Sequence, residues 1–473
     1  MIKRHAALLW IIALLALYAC LACCQGADDD DDVMDDSSDD DDVVDDDDDQ
    51  PDDDDLGDDD QPDDDDDDGP FYADFLRFWQ TMDQGYAYFT HKSIDWDAAF
   101  ERYAPLARVQ NDRAQFSLLI AQITASLGDS HTWSTLAGVP ADLLPDRTPT
   151  GVCLERMDGA VYVTRPSVQA AGLEPGDEVL LIDGETPDEL LERAMDWEGC
   201  SSPQCCDFWR LSHVERFSAG ADQVQYTVER AGLELQFSVP RNGESFGACT
   251  PQPLLDFLAD AQGEVLRYKP LGADLGYLRL TTLNSGYEEQ ILSELDAALA
   301  LFSGRDGIVF DARYNRGGSD LVAMSVLARF LDRIVTPAFF RYKSGPGHDD
   351  FTLWIPHPVL PGNDPNSLDV VFLINGACIS AGDFFAAAAS YVQSFSVLGT
   401  TSCGGTGAPR SDTLPDSGIV YRYSQMQRRY QRTGEQIEGI GVAPEYNVPS
   451  DPLDLAAGVD TQLEAAAALL RAR

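Results

Sequence analysis

From Asp28 to Asp68 the chain is almost entirely aspartate, with 29 of them in that stretch. Like charges at that density repel one another and leave nothing apolar to bury, so the segment cannot join a core and reads as an extended tether over residues 21–69. Any fold has to come from the residues beyond it, starting near Pro70, and a chain of 473 residues leaves enough for more than one ordinary domain. The run carries 29 of the net charge of −50, and the remainder is still acidic at −21. That balance argues against nucleic acid as a partner. The run also lacks the glycine-bearing loop of an EF-hand, so no specific calcium site is expected, nor any other metal or cofactor.

Met1-Ile-Lys-Arg-His5 precedes a short apolar stretch, residues 6–19, that leads into Leu17-Tyr-Ala-Cys20. A basic start followed by a short apolar segment is the pattern of a secretory signal, residues 1–20. Its ending resembles a bacterial lipobox, which implies lipidation of Cys20 and a lipid anchor at the bacterial cell envelope. Cysteine usage suits an exported chain. Beyond the signal region stand Cys153, Cys200, Cys205, Cys206, Cys249, Cys378 and Cys403, an odd number, so at least one thiol is expected unpaired or paired between chains. Cys200 could close a small loop with Cys205 or Cys206, and Cys378 could reach Cys403; spacing alone leaves the pairing open.

The chemistry concentrates in three segments. A buried-strand pattern, Asp369-Val-Val-Phe-Leu-Ile374, runs into Asn375-Gly-Ala-Cys-Ile-Ser380-Ala-Gly-Asp383 and then into a helical pattern from Phe384. Ser380 therefore falls where a strand hands over to a helix, beside free amides and the positive end of the helix dipole. A serine there can be a mere helix cap. It can also be a nucleophile whose reaction places negative charge near those amides. Before it, Gly307-Ile-Val-Phe310 leads into Asp311-Ala-Arg-Tyr-Asn-Arg-Gly-Gly318, a glycine turn able to aim amides at a bound group, with a helical pattern next to it over residues 321–331. After it comes Ile437-Glu-Gly-Ile-Gly-Val-Ala-Pro444.

In this order the segments resemble the tail-specific, or C-terminal processing, serine peptidase family, which includes the tricorn-type peptidases; the likeness spans residues 71 to 450. It implies a multidomain α/β protein with an N-terminal helical subdomain (residues 70–140), a PDZ-like β domain (145–245) and a crotonase-like α/β peptidase core (250–473). It implies Ser380 as nucleophile, with the oxyanion held by the Ala381 amide and one from Gly317 or Gly318. In one branch of the family a lysine serves as base, in a G-x-x-T-x-G-K-G segment. Here Gly399-Thr-Thr-Ser-Cys-Gly-Gly405-Thr places Gly405 at the lysine position. The tricorn-like branch uses a histidine preceded by a serine, and Leu127-Gly-Asp-Ser130-His131-Thr132 matches it. The resemblance thus implies His131 as base, supported by Glu438 directly or through the Ser130 hydroxyl, with Asp129 as a rival orienter. An imidazole suits the task because its pKa lies near neutrality. Asp383 stands where family members often carry glutamate.

Apolar residues recur at helical spacing over residues 71–89, 96–106 and 113–127. Ala170-Ala-Gly-Leu-Glu-Pro-Gly-Asp177, with strand patterns at 160–165, 178–184, 223–230 and 233–239 and a helix at 187–194, resembles a PDZ domain. That likeness implies capture of a peptide C-terminus by strand addition, with Gly151, Val152, Cys153 and Leu154 supplying the carboxylate loop. Residues 198–209, with their cysteines, read as an insertion. The whole describes an exported, lipid-anchored serine endopeptidase that cuts unfolded or C-terminally exposed polypeptides through an acyl-enzyme at Ser380. Two alternatives stay open: a non-catalytic peptide- or ligand-binding envelope protein on the same fold, and a hydrolase of small esters or amides.

Overall fold

The computed structural model describes residues 68–136, 138–140, 148–170, 172–212, 214–220, 222–243 and 249–473. Cys20, the signal-like segment and nearly all of the aspartate tether lie outside the described residues.

Four helices come after Pro70: α1 (Tyr72–Gly85), α2 (Phe89–Lys92), α3 (Trp96–Arg108) and α4 (Arg113–Ser126). Asp95 and Asp112 start α3 and α4 by accepting the Ala98 and Gln115 amides, each a side-chain cap for an otherwise orphaned donor. The single helix expected over 71–89 is broken at Tyr86, because the Ala87 amide donates to Ser424 O instead of back into the helix. The aromatic face of these helices, with Phe75, Phe78, Trp79 and Phe116, shares its core with Leu414, Ile419, Tyr421 and Tyr423 from far along the chain. That shared core holds the turn after α4, and with it His131, against the C-terminal half. The turn leads into β1 (Trp133–Ser134).

Next, β2 (Cys153–Met157), β3 (Ala160–Arg165), β4 (Glu178–Ile182), β5 (Gln223–Arg230) and β6 (Leu233–Pro240) form an antiparallel sheet in sequence order. Helix α5 (Pro187–Met195) opens with a reciprocal Thr186–Glu189 capping box. The expected insertion forms α6 (Pro203–Leu211), which packs against both β2 and α5.

The remaining chain builds a six-stranded sheet from β7 (Leu266–Leu271), β8 (Leu275–Leu280), β9 (Gly307–Asp311), β12 (Asp369–Ile374), β13 (Phe395–Gly399) and β17 (Tyr446–Asn447). Its spatial order is β17-β13-β12-β9-β8-β7, parallel throughout except for the β7–β8 pair. The other strands, β10 (Val335–Tyr342), β11 (Ile355–Val359), β14 (Pro409–Thr413), β15 (Val420–Ser424) and β16 (Met426–Tyr430), form two small sheets, one of which pairs β1 with β15. Helices α7 (Glu288–Leu301), α8 (Asp320–Leu327), α9 (Ala381–Ala389) and α10 (Thr461–Arg471) cover the large sheet. Strand periodicity divides the work. Ile308, Phe310, Val370 and Phe372 face the core under α7, α8 and α9, whereas Val309, Val371 and Leu373 face Leu463, Ala466 and Leu470 of α10. Both faces are buried, which is why the central strands read as continuous apolar runs. Because β9 and β12 are parallel neighbours, their carboxyl ends lie side by side, the usual position of a site on such a sheet. Among the described residues, no helix is long and apolar enough to cross a membrane.

Among the described residues three disulfides form: Cys153–Cys249, Cys200–Cys206 and Cys205–Cys403. Among the described cysteines Cys378 is the free thiol, buried in the turn that follows β12. The expected Cys378–Cys403 bridge is therefore corrected: Cys403 is taken by α6, and Cys378 Sγ donates to Ala312 O.

Candidate active site

Ser380 is the residue between β12 and α9, at φ 62° and ψ −123°. Such backbone geometry costs a non-glycine residue about 1–3 kcal/mol and persists only where the surroundings over-determine it. They do so here. The Ser380 amide donates to both Gly405 O (2.8 Å) and Asp383 Oδ2 (3.1 Å), and the Ile379 amide donates to Asn315 O (3.1 Å). Asp383 is fully buried and also accepts from the Ser402 hydroxyl and the Gly404 and Gly405 amides. Burial pushes its carboxyl up to about 7, and these donors limit the rise. Gly405, at the family's lysine position, is packed under Ile379 and Ser201, where a Cβ would already sit 3.1–3.2 Å from their side chains. Any side chain there requires Ile379 and Ser201 to shift by a few tenths of an ångström.

The glycine turn meets this elbow directly. A Cβ on Gly317 would lie 2.7 Å from the Ser380 Cβ, and one on Gly318 would lie 2.4 Å from Leu283 O; both residues have positive φ. Of the two candidate amides, that of Gly317 is spent on Asn315 Oδ1 (2.9 Å). The Gly318 amide has no partner among the described residues, nor has that of Ala381. Gly318 and Ser380 line one cleft of about 730 Å³ together with Ser130 and His131. Two unspent amides beside a strained serine are suited to hold an oxyanion. Asp311 and Arg313 of the same motif work elsewhere: Arg313 joins Asp311 to Asp460 and Gln462, tying the turn to α10.

His131 closes the opposite wall. Asp129, fully buried, shapes its turn by accepting the His131 amide (2.8 Å) and the Thr132 hydroxyl (2.8 Å). Burial lowers the imidazole pKa below its ordinary value, against the opposing pull of Asp129, so the ring is neutral and basic at pH 7. The ring and the Ser380 hydroxyl share the cleft without a hydrogen bond, and Nδ1 is buried without a partner. Such contacts commonly tighten only when substrate is bound.

The two helpers expected for His131 are engaged differently. Glu438 is completely buried, ion-paired with Lys92 Nζ (2.9 Å) and accepting the Thr406 amide (3.0 Å). Burial and the nearby Asp129 push its carboxyl up to about 7, and Lys92 opposes them. Lys92 also donates to Gly128 O, so Glu438 secures the turn that carries His131 rather than hydrogen-bonding the ring. The Ser130 hydroxyl accepts the Ser201 amide (2.9 Å) and touches Cys205 Sγ (3.4 Å), and no relay from Glu438 through Ser130 forms. Lys92, Thr406 and Ser201 are the residues that pattern reading missed. Thr406 ends the glycine-rich segment from Gly399, whereas Lys92 and Ser201 lie in no matched motif, and each of the three matters through a partner distant in sequence.

The residues of the expected peptide loop are buried. Gly151 is buried, Val152 and Leu154 belong to the core of the antiparallel sheet, and Cys153 is tied to Cys249. Asp207 of α6 pairs with Arg156 of β2 (3.1 Å), so α6 is packed against this edge strand. Among the described residues no cluster of side chains could hold a metal ion.

A strained serine at a strand-to-helix turn stands beside two unspent amides and shares its cleft with a neutral histidine. Residues 274–448 match the model for peptidase family S41, and residues 71–125 match that for the tricorn protease C1 domain. The chain is thus similar to peptidase family S41 over less than half of its length. It is 26% identical to tricorn protease homolog 1 of Streptomyces coelicolor over 405 residues, covering 80% of this chain and 33% of that protein. It is also 26% identical to a carboxy-terminal-processing protease of Bartonella bacilliformis over 207 residues, 42% of this chain and 44% of that one. The chain thus spans less than half the length of the curated relatives it matches. In fold it is similar to mature CPAF complexed with lactacystin, with a TM-score of 0.66 at 15% identity over 85% of this chain and 97% of that one.

Proposed function

We propose that this chain is a serine endopeptidase acting on polypeptides. The observation that carries this reading is the pair of unspent amides, Gly318 and Ala381, flanking a serine held at positive φ. Ser380 Oγ attacks the scissile carbonyl carbon while His131 takes its proton, and the oxyanion sits against the two amides. Collapse breaks the C–N bond as the imidazolium returns the proton to the leaving amine. Water then attacks the acyl-enzyme with His131 again as base. We further assign unfolded or C-terminally exposed chains as substrates and an envelope location through lipidated Cys20. Support for the location is the Leu17-Tyr-Ala-Cys20 ending and the three disulfides, which persist in oxidising compartments.

Labelling with a fluorophosphonate tests the reading. Wild type is expected to label, Ser380→Ala not at all, and His131→Ala at least about 100-fold more slowly. Absence of labelling in folded wild type overturns it in favour of a binding protein. Mass spectrometry of the processed N-terminus tests the anchor, which fails if Cys20 carries no lipid.

A further inference from the structure

The walls of the cleft carry a feature that the acyl-transfer step does not use. Arg316 lies over the Trp209 ring, 4.8 Å from its centroid, and Arg422 lies over Trp133 at 5.5 Å. Neither guanidinium has a carboxylate partner among the described residues, in a chain with 82 acidic residues against 32 basic ones. Arg422 Nε is buried with no acceptor among the described residues. The third arginine of the cleft, Arg210, donates to Glu198 O and so serves the fold. A guanidinium left without an acid, and with its plane fixed by an indole face, is prepared for a planar anion from outside, which its parallel N–H groups can grip in pairs.

Their placement indicates which part of a substrate they meet. Arg316 immediately precedes the oxyanion glycines. Arg422 pairs across the β1–β15 ladder with Trp133, two residues beyond His131. The base delivers its proton to the leaving amine, so its side of the cleft receives the residues on the C-terminal side of the scissile bond. The geometry points to a carboxylate subsite: Arg422, with Arg316 in the same cleft, holds a substrate carboxylate on the leaving-group side. This inference rests on the peptidase reading of Ser380. The carboxylate belongs either to an Asp or Glu side chain just after the cut or to the C-terminus of a short leaving fragment.

Two pairs of internally quenched peptides, cleaved by the full chain, separate these sources. One pair carries Glu or Gln in the two positions after the cut with an amidated end. The other carries a free or an amidated C-terminus a few residues beyond it. At least one pair is expected to differ in kcat/KM by about tenfold or more in wild type, and Arg422→Gln is expected to bring that ratio to within about twofold. Ratios near one for both pairs in wild type overturn the inference, as does a ratio that survives in the Arg316→Gln/Arg422→Gln double variant. Fluorophosphonate labelling with flat ratios removes only the carboxylate subsite. Neither labelling nor cleavage removes the peptidase reading, and the subsite with it.

Discussion

Replacing Asp383 by alanine tests whether the nucleophile elbow is held by the hydrogen bonds described. The carboxylate accepts four, from the Ser380, Gly404 and Gly405 amides and the Ser402 hydroxyl. The Ser380 amide keeps Gly405 O as a second acceptor, so three buried donors lose a partner. At about 1–3 kcal/mol each, reduced by relief from burying a charge, the loss is about 3–6 kcal/mol. A whole domain has about 5–15 kcal/mol to lose, so Asp383→Ala is expected near the edge of folding, and Asp383→Asn, which keeps one acceptor oxygen, is the milder form. The pH dependence adds a second signature. A carboxyl raised to about 7 in the folded protein binds its proton more tightly there than in the unfolded chain. Its stabilising contribution is therefore complete below the unfolded value near 4 and disappears as the pH rises through about 7, with an upper bound of about 4 kcal/mol. Urea unfolding followed by circular dichroism at pH 5 and pH 8 should show wild type losing stability between the two and Asp383→Asn losing less. Labelling of Ser380 in that variant should fall by about 100-fold or more, because the oxyanion amides move with the elbow. If Asp383→Ala unfolds within about 1 kcal/mol of wild type and labels at the same rate, the hydrogen-bond argument is wrong.

Lys92→Met leaves Glu438 as an unpaired buried acid and should cost about 3–5 kcal/mol in urea unfolding, most of it recovered in Lys92→Met/Glu438→Gln; equal losses in both variants would disprove the pairing. Because burial lowers the His131 pKa, the labelling rate should climb with pH and level off before pH 7, and a midpoint above 7 would mean another base. Cys205→Ala/Cys403→Ala opens a link between residues 198 apart and should lower stability by about 2–5 kcal/mol, while loosening α6 from the nucleophile loop. The same variant should bind a free peptide C-terminus more tightly than wild type in fluorescence polarisation, since α6 covers β2; unchanged affinity would show that α6 does not guard that edge.

The parts that could be read from sequence are those whose cause is local. β12, the turn to Ser380 and α9 succeed one another within a short stretch, so apolar run, small residues and alanine helix announce the elbow together. Gly405 was legible for the same reason, since a missing side chain needs no partner to be recognised. Glu438 is visible in its motif as an acid, but the cation that meets it comes from α2, at the other end of the folded chain. A pattern records which residues are apolar and how they alternate, and it does not record which distant segment supplies an opposing charge.

The insertion at residues 198–209 shows how much such a distant segment can carry. As an isolated stretch it is a short cysteine-rich helix with no motif. In the fold, the Ser201 amide meets the Ser130 hydroxyl beside His131, the Ser202 hydroxyl and Cys205 meet Cys403 in the loop that pins Asp383, and Asp207 meets Arg156 on the edge strand. One element thus touches the turn of His131, the loop that supports Ser380 and the edge expected to take peptide. Movement of α6 cannot uncover that edge while leaving the supports of Ser380 and His131 untouched, so occupancy of the edge and reactivity of the serine should change together. Labelling Ser380 with and without a saturating C-terminal peptide measures that coupling directly, and identical rates under proven peptide binding would refute it.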